Sequence, residues 1–115
     1  MLFTKIRGAW SQAVIDKNIK AIMSIYDRKA IFKGTYMKTP VKDRELLKDY
    51  FTNFAPIVKN IVFAEDNVVI KNDKTISEIG NYKFYTTKGV LNAQYNFVYS
   101  IEKNKILSHF STLRK

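Results

Sequence analysis

Two stretches near the end of the chain alternate strictly in character, and that pattern leaves them little choice of structure. Ala93, Tyr95, Phe97, Tyr99 and Ile101 alternate with Gln94, Asn96, Val98 and Ser100. Leu107, His109, Ser111 and Leu113 alternate in the same way with Ile106, Ser108, Phe110 and Thr112. A period of two puts each row on one face of a sheet. The polar run Glu102-Lys103-Asn104-Lys105 between them has the length of a hairpin turn. The only histidine therefore sits on a strand, and the rest of the chain has to cover the sheet that these strands begin.

Upstream the period is helical. Leu2, Phe3, Ile6, Ala9, Trp10, Ala13 and Val14 form one stripe, and Ile19, Ile22, Met23 and Tyr26 a second. The stripe changes phase near Asp16, which is expected to cap the second helix. Ala30 to Gly34 reads as a short strand leaving that helix. Thr39-Pro40 opens a third helix with Leu46, Leu47, Tyr50, Phe51 and Phe54 on its apolar side, and Pro56 closes it. Ile57–Glu65, Asn67–Lys71 and Ile76–Thr87 then read as strands, with Gly80 marking a bulge or bend. Three helices followed by a four- to five-stranded antiparallel meander make an α+β layout, one domain over residues 1–115.

Composition removes several kinds of chemistry. The chain has no cysteine, so disulfides, zinc–thiolate sites and a thiol nucleophile are excluded. One histidine leaves only carboxylates for a metal, and four isolated glycines make no phosphate-cradling loop. No metal and no cofactor are expected. The net charge is +10, but lysines are scattered singly and only three arginines precede the tail. That spread reads as a solvated surface rather than a nucleic-acid site. There is no apolar run of membrane-spanning length, and the first seven residues are too interrupted by charge for a secretory signal, so a cytoplasmic location is expected.

Trp10, Asp16 with Ile19 and Ile22, Tyr26, Gly34-Thr35, Tyr50-Phe51, Gly80-x-Tyr82-x-Phe84, Ala93-x-Tyr95-x-Phe97-Val98-Tyr99 and His109-x-Ser111 fall in order over nearly the whole chain. The set resembles the cone-shaped NTF2-like domains, and among them the association (hub) domain of calmodulin-dependent kinase II with its small stand-alone, SnoaL-like bacterial relatives. The resemblance implies three N-terminal helices on a curved, mostly antiparallel sheet, a pocket between the two, and dimers formed through the sheet that in the kinase hub build rings. It also implies a pocket Arg where this chain has Gln94, and a second His where Phe110 stands. Gln94 offers only neutral hydrogen bonds in place of the bidentate grip of Arg on a carboxylate.

Gln94, Asn96, His109, Tyr26, Tyr50 and Tyr82 are the candidate ligand-pocket residues. His109 has the unperturbed pKa of a general acid or base, though no orienting carboxylate neighbours it in sequence. The expected function is a homo-oligomerising association module with room for a small ligand. The first alternative is a cofactor-independent isomerase or dehydratase using His109, or Asp16 or Asp27, with a pocket Tyr, a pairing of the kind seen in ketosteroid isomerase. The second is a basic adaptor for an acidic partner or nucleic acid.

Overall fold

The computed structural model describes residues 2–114. Helix α1 (Leu2–Ile15) buries Phe3, Ile6, Trp10, Ala13 and Val14. It ends where Lys17 turns left-handed (φ 59°), with the Asn18 N–H reaching the Ala13 carbonyl at 2.9 Å and the Lys17 N–H the Val14 carbonyl at 3.0 Å. Those two crossed bonds close the helix as a Schellman turn. Asp16 is therefore not the cap of the next helix: α2 (Ile19–Ile25) is capped by Asn18, and Asp16 accepts from Gln12 instead. Strand β1 (Tyr26–Lys33) starts directly after α2, four residues earlier than helical periodicity indicates. Helix α3 (Arg44–Phe54) begins later than Thr39-Pro40, because the Asp43 carboxylate accepts from the Glu45 and Leu46 N–H groups. A 3-10 turn over Ala55–Ile57, containing Pro56, ends it.

The remaining strands are β2 (Val58–Phe63), β3 (Val68–Lys71), β4 (Thr75–Thr86), β5 (Gly89–Ser100) and β6 (Lys105–Leu113). Their order is β1-β6-β5-β4-β2, with β3 pairing the other end of β4. The sheet thus has six strands, the five that follow the helices joined by β1, and it is mixed, since β1 runs parallel to β6. β4 and β5 pair without interruption from Thr75↔Ser100 to Thr86↔Gly89, so Gly80 is not a bulge. Register shifts lie elsewhere: between β5 and β6, where Leu107 is the extra residue at the Val98–Tyr99 step, and in the β1–β6 and β2–β4 pairs. Gly80 serves a close approach instead: a Cβ there would lie 2.6 Å from the Tyr95 hydroxyl.

The helices cover one face of this sheet. On β4 the row Ile76, Glu78, Gly80, Tyr82, Phe84 faces inward, and on β5 the row Ala93, Tyr95, Phe97, Tyr99 does so. Trp10 of α1 fills the middle, edge-on to Phe51, Phe97 and His109 and stacked on Tyr82.

Candidate functional site

His109 lies on β6 in register with Phe97 of β5 and Phe32 of β1, at the centre of the covered face. Its ring stacks on Phe97 at 4.1 Å and is 2 % exposed. Two tyrosines hold it: the Tyr26 hydroxyl is 2.7 Å from Nδ1 and the Tyr82 hydroxyl 3.1 Å from Nε2. Trp10 Nε1 donates to Tyr26 at 2.9 Å. Tyr82 donates to Ser111 Oγ at 2.5 Å, and Ser111 meets the Thr35 hydroxyl at 2.7 Å.

Donor counting gives this network a direction. The indole N–H can only donate, so Tyr26 accepts from it and has its own proton left for His109 Nδ1. His109 must then carry its proton on Nε2 and give it to Tyr82, which passes its own to Ser111, and Ser111 to Thr35. Every buried side-chain polar atom among the described residues has a partner. The chain of bonds requires a neutral imidazole, and burial agrees, lowering the His109 pKa to about 3. Burial also pushes Tyr50 up to about 12 and Tyr26 and Tyr82 well above the ordinary phenol range.

Little space remains beside these groups. The crevice among Trp10, Phe32, Tyr50, Tyr82, His109 and Ser111 has a volume of about 10 Å³, at the lower limit for a single water. Tyr50 closes it. Its ring lies over Gly34, where a Cβ would come within 2.3 Å of the ring, and its hydroxyl accepts from the Thr35 N–H at 2.9 Å. On the outer side Tyr50 borders a surface hollow of about 300 Å³ with Tyr36, Asn53, Phe54, Ile57 and Lys88.

A second buried polar cluster went unrecognised in the sequence. Glu78 is fully buried, yet its carboxylate accepts from the Tyr95 and Tyr99 hydroxyls at 2.7 Å each and from Asn67 at 2.9 Å, and pairs with Arg7 of α1. The Arg7 guanidinium lies 4.3 Å over the Phe63 ring. Burial first, then the neighbouring Glu78 carboxylate, raises the pKa of both tyrosines. A signal was available. Glu78 shares the parity of Ile76, Tyr82 and Phe84, so a charge interrupts an otherwise inward row.

Of the expected pocket residues, His109, Tyr26 and Tyr82 come together and Tyr50 closes their crevice, whereas Gln94 and Asn96 do not join them. Both lie on the opposite, uncovered face of β5, where they line a shallow hollow of about 200 Å³ with Ile79, Phe110 and Thr112. The covered face takes the odd row of β5 because that row carries the aromatics, which leaves the amides outside. Position 94, where the resemblance implies a pocket Arg, is thus outside the pocket, and so is Phe110. The two helix aspartates stand apart as well: Asp16 binds Gln12, and the backbone N–H of Lys29 together with Lys103 holds the Asp27 carboxyl below its usual range. No group of three potential metal ligands exists among the described residues.

No protein-family model and no curated protein matches the sequence. Solved structures do match in shape. A candidate calcium/calmodulin-dependent protein kinase II association domain from Xanthomonas campestris superposes with a TM-score of 0.83 at 22% identity, covering 97% of this chain and 85% of its own. A candidate ketosteroid isomerase from Parabacteroides distasonis gives 0.75 at 17% identity, with 96% and 86% covered. A candidate dehydratase of the NTF2-like family from Streptomyces avermitilis gives 0.68 at 11%, with 98% and 94% covered.

Proposed function

We propose that this chain of NTF2-like fold is an association module that binds a second copy of itself through the uncovered face of its sheet. The observation that carries the reading is the filled interior. The space between helices and sheet, where a ligand would sit, is occupied by the protein's own aromatic rings and a closed hydrogen-bond network, down to about 10 Å³. The uncovered face is different: Ile79, Tyr85 and Val90 are 38%, 38% and 52% exposed on it, with the neutral amides Gln94 and Asn96 beside Ile79 and with Asp66, Lys83 and Arg114 near Tyr85. The uncharged part of that face, Ile79 with Gln94, Asn96, Phe110 and Thr112, suits an interface core better than a solvated surface. The name of the Xanthomonas campestris neighbour, an association domain, points the same way. Placing lysines at Gln94 and Phe110 together tests this. Sedimentation should show the mass falling towards 13.4 kDa, and an unmodified protein that is already monomeric at micromolar concentration would refute the reading.

The position of Tyr50 favours one second reading, a small-ligand or catalytic site that opens on demand. Rotation of its ring away from Gly34 would join the outer hollow to the Tyr82–His109–Ser111 wall. Neutral His109 would then offer its Nε2 proton, through Tyr82, to a carbonyl oxygen, which is the polarising step an isomerase or dehydratase needs. Tyr50→Ala should then admit a neutral phenol or steroid-sized probe seen as a rise in Tm; no shift with any such probe removes this reading.

A further inference from the structure

β3 is the one strand of the sheet whose four residues are all exposed. Val68, Val69 and Ile70 are 58%, 38% and 63% accessible, so the strand presents apolar side chains on both faces. It pairs with β4 from Val68↔Ile79 to Lys71↔Ile76, and among the described residues it has no strand on its other side. Open edges are ordinarily blunted by being very short, or by a proline, a bulge or a charge in the strand; β3 has only its shortness and the terminal Lys71. Here the register to β4 is unbroken, and no charge or proline occurs before Lys71. Beside the strand a mostly apolar hollow of about 210 Å³ opens between Leu2, Phe3, Val69, Ile76 and Ile101, with Lys71 also lining it.

The charges that flank β3 identify what completes it. Glu65 and Asp66 precede the strand; Lys71 ends it, and Asp73 and Lys74 follow in the turn, so two lysines against one aspartate leave that end net positive. If a second β3 pairs antiparallel, the acidic end of each copy meets the basic end of the other, twice by symmetry, while Val68, Val69 and Ile70 face their own kind. A parallel pairing would set like charges side by side. We infer that β3 is a self-complementary edge that adds antiparallel to β3 of a second copy of this chain, extending the sheet across a twofold axis. The strand is too short to reach the area a stable dimer needs by itself, so the contact rests on the sheet-face association proposed above. With two self-complementary surfaces on one chain, assembly continues past a dimer.

The absence of native cysteine makes the test direct. Val68→Cys, Val69→Cys and Ile70→Cys are mild surface changes, and Lys88→Cys in the β4–β5 turn supplies the collisional control. Directly opposed residues of an antiparallel pair lie within disulfide reach, and neighbours displaced along the strand do not. Oxidised at high micromolar concentration, one of the three positions should give covalent dimer about tenfold faster than the control, with the others well behind. In the Gln94→Lys/Phe110→Lys background the preference should fall towards the control, because the face contact that supports the edge is lost. Equal rates at all four positions, or no covalent dimer at 68, 69 and 70, would overturn the inference. The sheet-face reading is judged separately, by the mass of the uncrosslinked protein: a dimer without the cysteine preference sinks the edge alone, and a monomer sinks both.

Discussion

On β4 and β5 neighbouring residues meet opposite worlds. Glu78, Tyr82, Tyr95 and Tyr99 point under the helices, where each polar atom is paired; Ile79, Lys83, Gln94 and Asn96, one residue away, point outward, and several have no protein partner of this kind. The covered face uses polarity to fix a unique packing, because a buried group that loses its partner is costly. The uncovered face keeps apolar area and neutral amides available. The difference teaches where to look for function: substitutions inside should change stability, and substitutions outside should change association.

The largest effect should come from the ion pair. Arg7→Met leaves Glu78 buried without its counter-charge, and urea unfolding should show a loss of about 3 kcal/mol. The double variant Arg7→Met/Glu78→Leu should recover at least half of that. If it does not, the cluster stabilises by more than mutual compensation.

Acid comes next. The imidazole of His109 is neutral in the fold and its pKa lies near 3, whereas the unfolded chain takes up a proton near 6.5. The unfolded state therefore binds more protons between those values, and stability is full above pH ~6.5 and falls as pH drops below it. From pH 6.5 to 5 the loss should approach about 2 kcal/mol. His109→Gln should flatten that slope, and an unchanged slope would mean another group carries it.

Gly34→Ala should cost about 1–3 kcal/mol, since the new methyl meets the Tyr50 ring. Combined with Tyr50→Ala the same methyl should be nearly neutral, which separates a steric cause from a backbone one. The smallest effect on stability belongs outside. Gln94→Lys should move unfolding by no more than about 0.5 kcal/mol, while weakening self-association strongly.

Much of this contrast could be read from residue order alone. The alternation of 93–101 and 105–113 places β5 and β6, and the apolar stripes place α1 and α3. What alternation cannot supply is the choice of face. Both rows of β5 contain polar and apolar groups, and only the helices' burial of Tyr95, Phe97 and Tyr99 decides that Gln94 and Asn96 stay outside. Tyr26 was ambiguous for another reason: it fits the stripe of α2, but pairing with Ile106 of β6 makes it the first residue of a parallel strand. Long-range pairing overrode local periodicity there. The His109 network was half legible, since His109, Tyr26 and Tyr82 are readable as interior, whereas the donation from Trp10 depends on a contact sixteen residues away.

Net charge gives a further way to sharpen the account. Each copy carries +10, so association works against like-charge repulsion that salt screens. Self-association should tighten with added salt, whereas a basic adaptor would lose its acidic partner.

Sedimentation equilibrium of the unmodified protein at micromolar concentration and physiological salt tests the central claim most directly. A mass of at least twice 13.4 kDa, reduced towards a single chain by lysines at 94 and 110, is the predicted result. A single species of one chain's mass, unchanged by those lysines, would contradict it.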